Sequence, residues 1–160
     1  MKLGKPVIAV LFVLVCLIAG AIGSFFTFPS IQGWYSTLNK PSFNPPNWVF
    51  GPVWTLLYIL MGIAAYLVYE KGFNQKKVRI ALASFDVQLL LNVLWSFLFF
   101  GLHSPVYGLL CIIALWFSIA LTMAKFYEIS RTAGLLFVPY ILWVSFASIL
   151  NLSIWMLNWS

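Results

Sequence analysis

The sequence has 160 residues, the size of one ordinary domain, but 63% of them are hydrophobic and only 8% are charged. A soluble domain carries about 25% charged residues, and a domain this small leaves much of its surface in water. The composition therefore excludes a soluble enzyme, a nucleic-acid binder and a disordered chain, and it indicates an integral membrane protein. The net charge of +6 then becomes a signal for orientation in the bilayer. Two cysteines and one histidine are too few for a disulfide framework or a metal site.

Five stretches are long and apolar enough to cross a bilayer as helices, which takes about 20 residues each. They cover roughly residues 6–28, 48–69, 80–101, 105–126 and 133–156. We therefore predict an all-α integral membrane protein, a five-helix bundle that forms a single domain over residues 1–160. The first connection, residues 29–47, is polar and rich in proline, and connections of that length are often functional.

The first span contains a run of small residues between Ala19 and Ser24. With Lys2 and Lys5 before the apolar stretch, this run resembles the cleavage region of a signal peptide. The apolar stretch continues to Phe28, however, which favours a membrane span. The same small residues permit close helix packing, either within one subunit or between two subunits of a dimer.

Polar and aromatic side chains recur at helical spacing on three further spans. These stripes contain Phe50, Trp54 and Tyr58 on the second span, Gln88, Asn92, Trp95 and Ser96 on the third, and Tyr140, Trp143, Ala147 and Asn151 on the fifth. With a rise of about 1.5 Å per residue, all three stripes fall at one depth, in the half of the membrane beneath the first loop. They predict an internal aromatic pocket that contains a few amide groups and is capped by that loop.

The same residues have less specific interpretations. Asparagine and glutamine in membrane helices often only hydrogen-bond neighbouring helices, so each amide is either a ligand contact or a link between helices. Tryptophan is common at the membrane interface, which suits Trp34, Trp48, Trp155 and Trp159. The deeper rings do not fit an interfacial belt, and they suit a flat apolar ligand; they are Trp54, Trp95, Trp116 and Trp143.

Three isolated residues also have alternative interpretations. Asp86, the only acidic residue within a span, is either part of a proton relay or a neutral or hydrated acid near the inner interface. His103, in the turn after the third span, is either an axial haem ligand or a solvated loop residue. Pro139 predicts a kink near Leu135 in the fifth span. The sequence offers no nucleophile–base pair or phosphate loop for conventional hydrolytic or phosphoryl-transfer chemistry.

The basic residues predict how the five spans are oriented. One side of the membrane would carry Lys2, Lys5, Lys71, Lys76, Lys77, Arg79, Lys125 and Arg131. The other side would carry only Lys40. Because basic loops stay in the cytoplasm, we expect a cytoplasmic N-terminus and an external C-terminus. This orientation suits a prokaryotic plasma membrane, and a mitochondrial outer membrane is the alternative.

Three blocks rich in tryptophan, proline and amide residues follow one another along the chain. They are Trp34-Tyr35-x-x-Leu38-x-Lys40-Pro41-x-Phe43-x-Pro45-Pro46-x-Trp48-Val49-Phe50-x-Pro52-Val53-Trp54-Thr55, then Gln88-Leu89-x-Leu91-Asn92-x-x-Trp95-Ser96, then Pro139-Tyr140-x-x-Trp143-x-x-Phe146-Ala147-x-x-Leu150-Asn151. Over essentially the whole chain these blocks resemble the translocator protein family, also called tryptophan-rich sensory protein, TspO/MBR or peripheral benzodiazepine receptor.

The resemblance implies a five-helix bundle, often a homodimer. Its pocket opens toward the first loop and binds porphyrins, haem and synthetic ligands of the benzodiazepine-receptor class, and no other cofactor is required. By motif, the implied ligand-binding residues are Tyr35, Pro45, Trp54, Asn92, Trp95, Trp143 and Ala147, and Asn151 joins them from its place on the fifth-span stripe.

The implied function is that of a membrane receptor or sensor for tetrapyrroles. Three alternatives stay open. One is light-dependent breakdown of protoporphyrin, which the family associates with the positions that match Trp54 and Trp143; the others are transport of porphyrin or another amphiphile, and a purely structural helix bundle. The cholesterol motif of the animal members is absent, because no Lys or Arg follows Arg131.

Overall fold

The computed structural model describes residues 4–159, so Lys2 lies outside the described residues. Within them the chain is helical and has no strand. The helices are α1 Lys5–Gln32, α2 Trp34–Thr37, α3 Asn47–Tyr69, α4 Lys76–Ser96, α5 Pro105–Ile129, α6 Arg131–Leu135 and α7 Val138–Leu157, and a π-helix, Phe97–Gly101, continues α4. Five spans in the described part are long and apolar enough to cross a membrane, which confirms the predicted five-helix bundle.

Two boundaries depend on proline. The predicted loop from residue 29 begins too early, because α1 continues through Pro29 to Gln32. Its last turn is held by Ser30, whose Oγ donates to the carbonyl of Phe100 at 2.8 Å. In the fifth span the predicted kink is confirmed: the helix is interrupted between α6 and α7, just before Pro139, which lies in the first turn of α7.

The two ends of the bundle differ in charge and are named here for that difference. The basic end carries Lys5, Lys71, Lys76, Lys125 and Arg131, and the loop end carries residues 33–46, the turn at residues 102–104 and the end of α7. At the basic end Lys5 Nζ lies 2.8 Å from Glu70 Oε1, which joins the start of α1 to the end of α3. The hydrogen bond from Lys5 lowers the pKa of the Glu70 carboxyl, and its positive charge acts in the same direction.

Small residues bring α1 against its neighbours within the subunit. A Cβ added to Gly62 of α3 would come within 2.5 Å of Val13 Cα, so these two helix backbones are in direct contact. A Cβ on Gly20 would clash with the ring of Tyr58, and one on Gly23 would approach Ser96 Oγ at 3.0 Å. The small residues of α1 therefore serve packing within one subunit, and the homodimer that the resemblance implies stays a prediction.

The half of the bundle near the basic end is solidly packed. Phe126 stacks on Phe85 with ring centroids 5.9 Å apart and meets Phe137 edge-on at 5.3 Å. Met61 and Val68 of α3 are fully buried beside this cluster. The cavity described below lies in the other half, nearer the loop end.

Two residues singled out in the sequence lie outside the cavity described below. Asp86 is exposed on the outward face of α4. Trp116 of α5 donates its indole N–H to Ser145 Oγ at 2.8 Å, and it does not share the cavity described below with the other deep tryptophans. Helical spacing alone did not separate Trp116 from those other rings.

Candidate functional site

A cavity of about 620 Å³ occupies the loop-end half of the bundle. Its walls are α1, α3, α7 and the end of α4 with its π-helix, and α2 forms the roof through Tyr35. Of the described residues that line it, none carries a charge, and most are aromatic or aliphatic. Pockets of roughly 300–1,000 Å³ with apolar walls and a few polar groups are typical of small-molecule sites.

Seven of the eight predicted ligand-binding residues meet around this cavity. They are Tyr35, Trp54, Asn92, Trp95, Trp143, Ala147 and Asn151. The eighth, Pro45, lies in the loop outside the lining, where its carbonyl accepts a hydrogen bond from Asn44 Nδ2 at 3.2 Å. The three stripes therefore converge from different helices, as their common depth suggested.

A buried polar network closes the deep end of the cavity. Tyr58 donates its hydroxyl proton to Asn92 Oδ1 at 2.6 Å, and Asn92 Nδ2 donates to the Tyr140 hydroxyl at 2.9 Å. Tyr140 in turn donates to Gln88 Oε1 at 2.9 Å. These contacts join α3, α4 and α7, so Asn92 links helices and also lines the cavity. One N–H of its side-chain amide remains for a ligand, since an amide nitrogen carries two.

Asn151 is held in a similar way nearer the loop end. Its Oδ1 accepts from Trp95 Nε1 at 3.2 Å, and its Nδ2 donates to the carbonyl of Pro105 at 2.8 Å. Pro105 is the first residue of α5, so this amide ties α4 to the start of α5 through α7. The contact fixes the plane of the Trp95 ring, which also stacks on Phe99 at 5.4 Å between centroids.

The Trp143 indole N–H has no partner in the protein. Among the described residues, Trp143 Nε1 is the one buried side-chain nitrogen or oxygen without a hydrogen bond. The ring lines the cavity and meets Phe50 edge-on at 5.8 Å and Phe146 at 5.5 Å. A buried donor without a partner costs about 1–3 kcal/mol.

The roof over the cavity is anchored at several points. Asn39 and Asn158 exchange two hydrogen bonds of 2.9 Å, which attach the first loop to the end of α7. Tyr35 donates to Asn44 Oδ1 at 2.9 Å, and burial raises the pKa of Tyr35 to about 12, so its hydroxyl stays protonated at neutral pH.

The start of α2 is anchored through His103. The Trp34 ring stacks on the His103 imidazole with centroids 4.8 Å apart. His103 adopts a φ of 52°, and it is the one non-glycine residue in the described range with a positive φ. It does not line the cavity, so its place in the fold is beside the roof and not beside a ligand.

Two parts of the lining were missed by the sequence analysis. The α1 wall includes Gly20, Ser24 and Phe28. The sequence analysis interpreted the small residues of α1 only as a packing or cleavage signal. The π-helix contributes Phe99 and Phe100. The apolar run Phe97–Gly101 gives no local sign of a π-helix, although π-helical turns occur frequently at functional sites.

Comparison with known proteins identifies the family. The family model described as "TspO/MBR family" matches residues 12–156. The chain belongs to the TspO/MBR family. It is 51% identical to the tryptophan-rich protein TspO of Archaeoglobus fulgidus over 147 residues, which are 91% of this chain and 94% of that protein. It is 38% identical to the human translocator protein over 136 residues, which are 84% of this chain and 80% of that protein.

A third TspO/MBR relative, the tryptophan-rich sensory protein of Cereibacter sphaeroides, is 42% identical over 79% of this chain and 78% of its own length. Membership of the TspO/MBR family and the five apolar helices make this chain an integral, multi-pass membrane protein. Its family comprises proteins named as membrane sensors and translocators.

Proposed function

We propose that the protein is a membrane receptor or sensor that binds tetrapyrroles, such as protoporphyrin or haem, and related flat apolar ligands in the aromatic cavity. The observation that carries the proposal is a cavity of about 620 Å³ whose uncharged walls hold Trp54, Trp95 and Trp143. Flat rings gain from stacking on aromatic side chains in addition to the burial of apolar area.

The charge balance of the site restricts how a tetrapyrrole would lie. Since no described lining residue is charged, the acidic side chains of a porphyrin have to remain at the membrane interface while its ring is buried. The exposed amides of Gln32 and Asn47 lie on the cavity lining at that level. A flat ring with its acidic groups along one edge meets both conditions.

Titration of the purified protein in lipid nanodiscs with protoporphyrin, in darkness, tests this proposal. The diagnostic variant is Ala147→Phe, because Ala147 lines the cavity and the larger ring would occupy ligand space. The matched control is Ile149→Phe on the same helix, since Ile149 is 58% exposed on the outer surface. We expect saturable binding to the wild type and the control, and affinity at least about tenfold lower in Ala147→Phe, a cost of about 1.4 kcal/mol. Equal affinity in all three proteins would refute the assignment.

A second candidate function is light-driven chemistry on the bound porphyrin. Its support is the chain of oxidisable rings at the cavity: the Trp54 centroid lies 5.7 Å from Tyr58 and 6.2 Å from Tyr140. In this scheme an excited porphyrin takes one electron from a tryptophan, giving a porphyrin radical anion and an indole radical cation. Dioxygen then adds to the radical anion through a new C–O bond, and the adduct returns the electron to the indole, so the net reaction is the addition of O2 to the macrocycle. The transporter alternative has less support, because Asp86 lies outside the cavity lining.

We also propose that the N-terminus is cytoplasmic and that the cavity lies beneath the external surface of a prokaryotic plasma membrane. The support is the asymmetry of charge, because Lys40 is the one Lys or Arg in the described residues at the loop end.

A further inference from the structure

Two helices, α1 and α3, pack closely near the basic end, and both line the cavity nearer the loop end. Close contact between Gly62 and Val13 and the Lys5–Glu70 ion pair hold α1 and α3 together in the first region. Nearer the loop end, both helices present residues that line the cavity and are also exposed on the outer surface of the bundle. They are Ala21, Ser24, Phe28 and Gln32 on α1, and Trp48, Gly51 and Thr55 on α3.

These residues define a continuous opening, the α1–α3 slot. On each helix they are spaced by three or four residues, so they form two stripes on the same wall. Phe28 is 79% exposed and Trp48 is 75% exposed, and lining residues with so much exposed area place an edge of the cavity at the outer surface. The added Cβ of a residue at Gly51 would meet nothing within 4 Å, which shows free space at the edge of the slot.

The slot lies at the depth of the lipid and not of the aqueous phase. Thr55 is eight residues from the start of α3 at Asn47, or about 12 Å along the helix, and Ala21 is about 16 Å from the end of α1 at Gln32. The hydrocarbon core of a bilayer is about 30 Å thick, so the slot spans roughly one leaflet.

The chemistry of the slot suits contact with acyl chains. The hydroxyl of Ser24 donates to the carbonyl of Gly20, and that of Thr55 donates to the carbonyl of Gly51, each at 2.9 Å. Both hydroxyl protons are satisfied within their own helix, so neither requires water. The one amide in the slot is that of Gln32, at its loop-end limit, and the amide of Asn47 lies next to the slot beside Trp48.

We propose that ligands enter and leave the cavity laterally, from the leaflet on the loop-end side of the bilayer, through the α1–α3 slot. This inference rests on the proposed function of the cavity, and it narrows the ligand class to flat amphiphiles that dissolve in the bilayer. Their apolar body passes between the helices while their polar edge stays at the interface. The loop above is closed by the reciprocal Asn39–Asn158 hydrogen bonds and by the stacking of Trp34 on His103.

Stopped-flow binding of protoporphyrin to nanodisc-embedded protein tests this route. Gly51→Trp should obstruct the slot, and Ile63→Trp, on the lipid-exposed face of the same helix and outside the cavity, is its matched control. We expect Gly51→Trp to lower the association rate constant by about tenfold or more and to lower the dissociation rate constant as well, whereas a ring that only occupied ligand space would raise the dissociation rate constant. Asn158→Ala, which releases the loop, should leave both rates unchanged. Faster association in Asn158→Ala with wild-type rates in Gly51→Trp would overturn the inference.

A second measurement examines the slot without any porphyrin. A bimane fluorophore is attached to Thr55→Cys in a background in which Cys16 and Cys111 are alanine, and nanodiscs are prepared with lipids brominated on the acyl chains. We expect quenching comparable to that at a lipid-facing control, Ile63→Cys. A Thr55 probe that is not quenched would show that the slot is sealed from lipid. Absence of porphyrin binding to the wild type would refute the proposed function, and the quenching result would still decide whether the slot is open.

Discussion

The Asn92→Leu substitution tests the polar network at the deep end of the cavity. It removes the acceptor of the Tyr58 hydroxyl, at 2.6 Å, and the donor to the Tyr140 hydroxyl, at 2.9 Å. Tyr140 keeps its bond to Gln88, whereas the Tyr58 hydroxyl loses the one partner that it has. Hydrogen bonds between membrane helices contribute about 0.6–1.7 kcal/mol each, so the expected loss of stability is about 1–3 kcal/mol.

A double-mutant cycle with Tyr58→Phe separates this network from simple packing. Tyr58→Phe alone removes one hydrogen bond, and it also removes the hydroxyl that Asn92→Leu would leave unpaired. The double variant should therefore be more stable than the sum of the two single changes predicts, by about 0.5–1.5 kcal/mol. The measurement is reversible unfolding of the four proteins in mixed micelles with increasing dodecyl sulfate. Strict additivity, or wild-type stability of Asn92→Leu, would refute the network reasoning.

The same variants show whether Asn92 also contacts a ligand. If its remaining N–H binds a polar group, Asn92→Leu should weaken a polar ligand by roughly 5- to 150-fold, equivalent to about 1–3 kcal/mol. Tyr58→Phe keeps this N–H and should change the affinity much less. Unchanged affinity in a folded Asn92→Leu protein would leave Asn92 with its helix-linking role alone.

Three further predictions concern orientation, photochemistry and the basic end. A cysteine at Ser42 should react with an impermeant thiol reagent on intact cells, and labelling only after lysis would reverse the proposed orientation. Trp54→Phe and Trp143→Phe should still bind protoporphyrin, with affinity lowered by about tenfold or less. Loss of the bound porphyrin in light should slow sharply in both variants, because phenylalanine stacks on the ligand but is hard to oxidise. Equal bleaching rates in the variants and the wild type would show that both tryptophans are only cavity walls. The ion pair with Lys5 lowers the pKa of the Glu70 carboxyl. The pair therefore stabilises the fold at pH values above the ordinary pKa of glutamate, and this stabilisation is lost as the pH falls through the lowered pKa of Glu70. Thermal unfolding of Glu70→Gln should therefore differ slightly from wild type at neutral pH and match it in acid, and a difference that persists in acid would contradict this.

Local properties of the chain were sufficient to predict the spans and the positions of most cavity residues. Helix formation in lipid follows from the length of each apolar stretch, because every backbone polar group must be satisfied within the membrane. Helical spacing then placed Trp54, Asn92 and Trp143 on defined stripes, and their depth followed from the rise per residue. The prolines predicted the first loop, although α1 extends four residues into the predicted range.

The sequence did not show which helix faces meet the cavity and which meet other helices or lipid; only the tertiary structure decided this. A membrane helix is apolar on the face toward lipid and on the face toward protein, so the pattern of α1 does not reveal which side meets the cavity. For the same reason Trp116 could not be separated from Trp143, and only the assembled bundle directs one ring to Ser145 and the other into the cavity. The slot has no local signal in the sequence, because it depends on where α1 and α3, in contact at Gly62, both line the cavity nearer the loop end.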